Sequence, residues 1–400
     1  MHLLLTLVLA MAVRDGGAPL RSGCDADSAA IAQLPGGTPL TIRFSLSGQS
    51  EPCYKVVVSV DGKPVEGYLP GVAISNLDTF ETARKAGSGI LATREVLQAV
   101  GAPQANRGVY GSVVEQAAGL IESAQPSRAL ALLEPELKRG DPQVLALAGA
   151  AAWRADDPKK ALELWRKSLA IRPNAQVQQL VAEVERETQG DQSQQRIIGS
   201  RVLLRYEEAA VSPETARAMA SVVDQEFARI STELGCSATE RIVTIAQSKE
   251  AYLKTTAAAE WSGGQFDGRI RVPVFEGRTM DPELRRTLAH EVTHACLTML
   301  GRWPAWLHEG IAQATSGQTL SAAEGAAAVQ QARAKKMTLS KSAEEWGALD
   351  ADSARVAYSL ALHAINVYRQ ENGSSGLRNL LRNPERLAQI TADLDRRLGL

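Results

Sequence analysis

Residues 281–301 have the sequence DPELRRTLAHEVTHACLTMLG, which predicts a single helix. Asp281 is a favourable N-cap residue. Pro282 suits the first helical position, because the N–H that proline lacks would have no partner there. Gly301 is typical of the end of a helix. The segment is therefore predicted to be helical from just after Asp281 to Gly301.

Two histidines in this helix are placed to bind a metal ion. His290 and His294 are four residues apart in His-Glu-Val-Thr-His, so their imidazoles lie on one side of the helix and can reach one ion. Glu291 is offset from the pair but near enough to hold a water molecule at the metal. The chain has only five histidines, so this spacing rarely arises by chance. The pattern predicts a metal site with Glu291 as a general base.

A two-histidine site requires a third protein ligand, and a later segment contains a candidate. WLHEGIA (residues 306–312) follows the first helix after one loop, and a carboxylate at the start of a helix is a reasonable donor there. This segment resembles the W-L-x-E-G-x-A pattern that follows HExxH in gluzincin-type zinc metallopeptidases of the peptidase MA-like families. The resemblance covers the chain from about Ile197 onward and is closest over residues 270–313.

The resemblance implies a ligand set and an activity. It implies that Glu309 is the third ligand of one Zn²⁺ ion, that Glu291 is the catalytic base, and that the substrate is a peptide or protein. The implied reaction is zinc-dependent hydrolysis of peptide bonds. It also implies that Tyr358 donates a hydrogen bond to the oxyanion of the tetrahedral intermediate. The alternative for Tyr358 is a buried aromatic residue on an Ala- and Leu-rich helix.

Three further polar residues near these segments have less specific roles. Gln313 lies one helical turn after Glu309, where some zincins place a carboxylate that orients a ligand histidine, and an amide can accept the same hydrogen bond. His308 stands where relatives commonly have asparagine. It is a candidate for substrate binding or an alternative ligand, although its position next to Glu309 predicts that it points elsewhere. His363 is predicted to be a packing or surface histidine.

The C-terminal half alternates strand and helix signals. Strands are predicted at residues 202–206, 241–247 and 269–275, and a capped helix at residues 212–234. The strand from Ile270 to Phe275 is a candidate edge strand for pairing with an extended substrate. Gly263 and Gly264 would let this edge approach the site or move. Residues 197–400 are thus predicted to form a zincin-like α/β metallopeptidase domain.

Residues 108–190 have helical periodicity and a longer internal repeat. Ala148, Gly149 and Ala161 occur at tetratricopeptide-repeat spacings and would let two helices approach closely, while Trp165 would fill the layer between units. An imperfect copy precedes this unit. Tetratricopeptide-like repeats usually offer a concave surface to a protein partner or act as a spacer. The alternative is a plain helical bundle.

A polar segment follows the repeats. Residues 190–195 lack apolar side chains and are predicted to be a linker. Such a linker would be the most protease-sensitive internal segment, because it has little apolar surface to bury. It predicts that the repeats and the C-terminal domain pack independently.

The N-terminal region predicts a small β-rich module over residues 24–100, with a hairpin signal at Asp61-Gly62. Residues 1–12 form a short apolar run ending in Ala-Met-Ala and predict a signal peptide, hence export to the periplasm, cell envelope or medium. The alternatives are a buried terminal strand and a lipoprotein. In an oxidising compartment Cys24 and Cys53 can form a disulfide; the alternative is two free thiols.

Composition limits the remaining functions. Lys and Arg total 44 against 45 Asp and Glu, a net charge of -1, which argues against a nucleic-acid binder. Residues 1–12 are too few to span a bilayer. The sequence therefore predicts an α+β multi-domain protein, and a metallopeptidase. The alternative is a partner-binding repeat protein with an inactive metallopeptidase scaffold. A purely structural zinc site would leave Glu291 without a role.

Overall fold

The computed structural model describes residues 11–23, 28–46, 53–60, 62–75, 77, 93–101, 112–190, 194–256, 264–274, 277–341, 349 and 351–400. These residues form strands at the N-terminus, helices in the middle, and both in the C-terminal half. The prediction of a mixed α+β protein is confirmed. Within the described part of the chain, every helix is too short or too polar to cross a membrane.

The N-terminal strands form a five-stranded antiparallel sheet, in the order β3-β2-β6-β5-β4, and a two-stranded ladder of β1 and β7. Gly62 lies in the β5–β6 turn with a φ of 75°, as the hairpin signal predicted. The strands are β1 (Ala12–Val13), β2 (Ala18–Arg21), β3 (Ala30–Leu34), β4 (Leu40–Leu46), β5 (Cys53–Val60), β6 (Lys63–Pro70) and β7 (Ile74–Ser75).

Part of the predicted signal peptide lies in this module. Residues 1–10 lie outside the described residues, whereas Ala12 and Val13 form β1 and Val13 is buried. Export and lipid attachment stay predictions. Cys53 is disulfide-bonded, which excludes a free thiol at that position, and Cys24 lies outside the described residues.

The middle of the chain is helical. Its helices are α1 (Thr93–Ala99), α2 (Val113–Glu122), α3 (Pro126–Leu133), α4 (Pro142–Arg154), α5 (Pro158–Ile171) and α6 (Ala175–Gly190). A Cβ atom on Gly149 would lie 2.4 Å from the indole of Trp165, so a glycine is needed for α4 and α5 to approach this closely. Trp165 is fully buried, and its Nε1 donates to the carbonyl of Ala146 at 2.9 Å. The close helix approach predicted from the repeat pattern is present.

Helix α1 packs with these helices rather than with the β-rich module to which residues 24–100 were assigned. Val96 and Leu97 belong to the hydrophobic core shared by α2–α6. The reason is that the apolar side chains of α1 pack against the other helices. The periodicity within residues 24–100 does not reveal this contact.

The C-terminal half contains a second five-stranded sheet. Its strands are β8 (Gln194–Ile198), β9 (Val202–Glu207), β10 (Ile242–Ser248), β11 (Gln265–Phe266) and β12 (Ile270–Val274). The order is β11-β12-β10-β9-β8, with β9, β10 and β12 parallel and both outer strands antiparallel. All five residues of β12 are buried, because both faces of the sheet are covered.

The C-terminal half also contains helices. They are α7 (Pro213–Leu234), α8 (Lys249–Thr256), α9 (Pro282–Leu300), α10 (Ala305–Thr315), α11 (Ala322–Ala334), α12 (Ala351–Arg382, interrupted at Gly373) and α13 (Leu387–Leu398). Ser212 caps α7 as predicted, accepting from the N–H of Thr215 at 3.1 Å. A disulfide between Cys236 and Cys296 joins the end of α7 to α9. Cysteine spacing had not indicated this pair.

Helices α7 and α9 pack on one face of this sheet. The other face meets helices α2–α6, which span the predicted repeats and are called the repeats below. Helix α6 ends at Gly190 and β8 begins at Gln194, so regular structure extends into both ends of the predicted linker; residues 191–193 lie outside the described residues. Glu187 of α6 pairs with Arg269, just before β12, at 2.9 Å, and both side chains are buried. The two parts therefore do not pack independently, because charged residues at this strand pair with a repeat helix instead of solvent.

Candidate metal centre

Helix α9 forms where the sequence predicted it and carries both histidines. Oδ1 of Asp281 accepts a hydrogen bond of 2.7 Å from the N–H of Leu284, which caps the helix. Leu288 and Val292 are fully buried in the core that includes the sheet. His290 and His294 lie on the other side, where they meet α10.

Helix α10 carries Glu309. Its position depends on the next residue, Gly310, where a Cβ atom would lie 2.6 Å from the carbonyl oxygen of Ala361 on α12. A glycine at this position allows the two helices to pack this closely. With that side of α10 against α12, Glu309 points towards α9 and its side chain is 17 % exposed.

His290, His294 and Glu309 bring one donor atom each into a common space. The Nε2 atoms of the two histidines are 3.1 Å apart. Oε2 of Glu309 is 3.4 Å from Nε2 of His290, and its Oε1 is 3.6 Å from Nε2 of His294. The three predicted ligands therefore converge, and they are a group of described residues that could hold a metal ion.

These separations fit a zinc site. Nitrogen and oxygen ligands at zinc bond lengths around a tetrahedral ion lie about 3.3–3.4 Å from one another. The nitrogen–nitrogen separation of 3.1 Å and the nearest nitrogen–oxygen separations of 3.4 and 3.6 Å, which involve the two different oxygens of Glu309, lie around that value. Two imidazoles and one carboxylate are also a donor set typical of catalytic zinc, with a fourth position left for water or substrate.

The charges of Glu309 and His294 suit metal binding, whereas His290 has to lose a proton to bind an ion. Burial opposes the charged form of Glu309, but His294 and His290 outweigh it and lower its pKa to about 2. Burial lowers the pKa of His294 to about 3 against the attraction of Glu309. Burial also disfavours the charged form of His290, yet its hydrogen bond to Glu309 outweighs this and raises its pKa. A carboxylate and a neutral imidazole are the forms that bind a cation.

Glu291 is buried next to this group without being one of its donors. Its side chain lies against the backbone just before β11: a Cβ atom on Gly264 would be 3.0 Å from Oε1 of Glu291. Burial raises the pKa of Glu291 to about 7. Gly264 thus permits the close approach predicted for this segment, here to the predicted general base, while Gly263 lies outside the described residues.

His308 contacts a ligand histidine, which the sequence did not predict. Its Nδ1 is 3.3 Å from Nδ1 of His294, and the two rings are 5.5 Å apart between centroids. The expectation that it points away from the site is therefore wrong: the short distance between α9 and α10 brings it over His294. If Nε2 of His294 binds a metal, its Nδ1 carries the proton and can donate to His308, an arrangement that fixes the ring.

Removing the acceptor at His308 is expected to weaken zinc binding. His308→Leu should lower zinc affinity by about 10- to 100-fold, while His308→Asn, whose amide oxygen can accept from His294, should lose less. Titration of the zinc-loaded protein with a competing chelator measures both. His363→Leu is the matched control, since His363 packs on Gly325 of α11 and should leave the affinity unchanged. Equal affinities for His308→Leu and the unmodified protein would refute the contact's role.

Gln313 does not take the role predicted for it. Its Nε2 donates to the carbonyl oxygens of Glu309 and Tyr358, each at 3.1 Å, and so connects α10 to α12. The physical reason is that α12 lies against this side of α10. The same bond places the backbone of Tyr358 beside the ligand helix, and the Tyr358 side chain is half-buried. Its role as an oxyanion donor stays a prediction.

The edge of the sheet differs from the predicted one. Strand β12 is not the outermost strand, because β11 pairs with its first half through Gln265 and Phe266. β11 has only two residues, too few for a periodic pattern to reveal. Since Gly264 immediately precedes β11 and contacts Glu291, the edge nearest the site is β11.

Comparison with protein-family models gives no match for this chain, and comparison with curated protein sequences gives none either. The function is therefore inferred from the site geometry.

Proposed function

We propose that this protein is a zinc-dependent peptidase of the gluzincin type. The observation that carries the proposal is the convergence of His290, His294 and Glu309 at separations suited to one tetrahedral zinc ion, with Glu291 buried beside them. The resemblance of both motifs to gluzincin metallopeptidases supports the same function. The substrate is a peptide or protein chain.

In this proposal the protein side chains bind the metal ion, orient the groups around it and move a proton. When bound, Zn²⁺ polarises the scissile carbonyl and lowers the pKa of a water molecule. Glu291 takes the proton from the attacking water and delivers it to the leaving amine. His308 holds His294 in the tautomer that leaves Nε2 free for the metal. Tyr358 is proposed as the hydrogen-bond donor to the oxyanion.

The peptide is proposed to bind along β11. This strand is the outer edge of the sheet as described, and Gly264 at its start contacts Glu291. An extended chain that adds to such an edge forms main-chain hydrogen bonds, and its side chains alternate between the two faces. Pairing at this point would place a peptide bond next to the general base.

The competing function is a partner-binding repeat protein with an inactive scaffold. A decayed site usually loses a ligand or its base, whereas all four groups are present here and the donor atoms of the three proposed ligands converge. One face of the repeats is also occupied by the chain itself, through the pairing of Glu187 with Arg269. Both observations favour the enzyme, while another surface of the repeats remains a proposed site for a protein partner.

Export to the periplasm, cell envelope or medium is proposed together with this activity. Cys236 and Cys296 form a disulfide, and Cys53 is disulfide-bonded. Disulfides persist in oxidising compartments and are rare in the cytosol. They support the export predicted from residues 1–12.

Metal content is the direct test of the proposed function. The purified protein is expected to contain zinc in about a 1:1 molar ratio and to cleave an unstructured protein substrate, because the site has three protein ligands and an open position. Elemental analysis measures the zinc, and gel analysis of a casein-type substrate measures cleavage before and after chelation. A protein that binds no zinc even after reconstitution would rule out the enzyme.

A further inference from the structure

A buried ionic cluster, here called the hairpin cluster, lies between the repeat helices and the sheet. It consists of Trp153, Arg154, Glu187, Asp267, Arg269 and Arg271, each at most 3 % exposed. The first three belong to α4 and α6, and the last three to the hairpin formed by β11 and β12. The cluster therefore joins two parts of the chain that are distant in sequence.

Glu187 is the centre of the cluster. Its carboxylate accepts two hydrogen bonds from Arg269, at 2.9 and 3.1 Å, and one from Nε1 of Trp153 at 3.1 Å. Arg271 pairs with it at 3.0 Å. The guanidinium groups of Arg154 and Arg269 lie 4.7 and 4.9 Å from the ring of Trp153. One side chain of α6 thus fixes the orientation of both arginines of the hairpin.

Asp267 extends the cluster to the turn of the hairpin. It pairs with Arg271 at 3.1 Å and with Arg154 of α4 at 3.4 Å. Its Oδ1 also accepts from the N–H of Arg269 at 2.8 Å, across the turn that contains Gly268 with a φ of 103°. The turn is therefore held both by its own side chain and by the repeats.

The other end of the same hairpin reaches the metal centre. Gly264 precedes Asp267 by three residues. A Cβ atom on Gly264 would lie 3.0 Å from Oε1 of Glu291 and 3.1 Å from Cγ2 of Thr287. Among the described residues β11 forms two residue pairs with β12, and Phe266 packs against the core, so the turn at Asp267 is one of the features that fix its position. The location of Gly264 consequently depends on how the turn at Asp267 is held.

We propose that the repeat helices position the hairpin β11–β12, which forms the wall of the active site beside Glu291. Glu187 and Trp153 act as positioning residues for Glu291 through this hairpin. The proposal rests on the proposed function for its effect on catalysis. A cluster that served stability alone could be replaced by apolar side chains, which are often equally stable in such places. Paired charges with fixed hydrogen-bond directions define one orientation of the hairpin instead.

The test compares three variants for zinc content, amide hydrogen exchange and steady-state kinetics. Glu187→Gln removes the central charge. Trp153→Phe keeps an aromatic ring and the ion pairs but removes one donor. The matched control is Glu122→Gln, which breaks the pair of Glu122 with Arg302, another contact between the repeats and the C-terminal half that lies on the surface.

The expected result is selective. In Glu187→Gln, amides of residues 265–274 should exchange about tenfold faster or more, while those of α9 are unchanged and zinc stays equimolar. kcat should fall by about ten- to a hundredfold, since a displaced wall misplaces Glu291. Trp153→Phe should show the same pattern to a smaller degree, and it provides the result if Glu187→Gln does not fold. Glu122→Gln should change neither the exchange rates of residues 265–274 nor kcat.

Unchanged exchange at residues 265–274 in both cluster variants would overturn the proposal, as would faster exchange with an unchanged kcat. A loss of protection spread evenly over the whole C-terminal half would also overturn it, because that is the result expected of a merely structural anchor. If the unmodified protein shows no peptidase activity, the proposed function fails, whereas the exchange pattern still decides whether the repeats hold the hairpin.

Discussion

Replacing Glu291 with glutamine is expected to leave one zinc ion bound and the fold intact, while peptide hydrolysis falls by about two to four powers of ten. The converging donors belong to His290, His294 and Glu309, so the substitution removes no ligand. Glutamine has the shape that fits beside Gly264 but cannot take a proton from water. Elemental analysis and the rate of cleavage of an unstructured protein measure the two effects.

Two further variants make the result specific. Glu283→Gln changes the same residue type on the same helix, at an exposed position that pairs with Arg278 at 3.5 Å, and should retain full activity. Glu309→Gln should lose both zinc and activity, because it weakens a ligand. If Glu291→Gln kept its activity, another group would activate the water; if it lost its zinc, Glu291 would be structural. Either outcome contradicts the assigned role.

The arrangement of the candidate metal centre could be predicted from sequence because its main parts are local. The spacing of His290 and His294 follows from helix periodicity, and the ends of α9 follow from Asp281 and Gly301. Glu309 followed from the motif resemblance, and its position is set by the packing of Gly310 on α12. Each of the sequence signals lies within α9 or α10 or at the ends of α9.

The parts that could not be predicted depend on contacts between distant segments. Arg269 and Arg271 flank Ile270 in a pattern typical of a strand with one solvated face, yet both arginines are buried against Glu187 of the repeats. Nothing in the local sequence indicates that partner. The pairing of Cys236 with Cys296 is hidden for the same reason, since spacing does not determine connectivity.

Replacing Asp267 with asparagine is expected to lower the free energy of unfolding by about 3–5 kcal/mol, the usual cost of removing one partner from a buried ion pair. The substitution leaves Arg154 and Arg271 buried without the carboxylate that they now face. Glu122→Gln breaks an exposed pair between the same two parts of the chain and should cost about 0–1 kcal/mol. Midpoints of urea unfolding at neutral pH measure both changes.

The loss of unfolding free energy in Asp267→Asn is also expected to depend on pH, and the sign of this dependence follows from the charges of the cluster. Burial opposes the charged form of Asp267, but Arg271, Arg269 and Arg154 outweigh it and lower its pKa from 3.8 to about 2. A carboxyl group with a lowered pKa adds stability that is complete above its unfolded pKa and is lost as the pH falls towards the folded one. The difference in unfolding free energy between the unmodified protein and Asp267→Asn should therefore be constant above about pH 5 and shrink between about pH 4 and pH 2. A difference that stayed the same down to pH 2 would show that the asparagine disturbs packing, and that the charge of Asp267 does not hold the hairpin against the repeats.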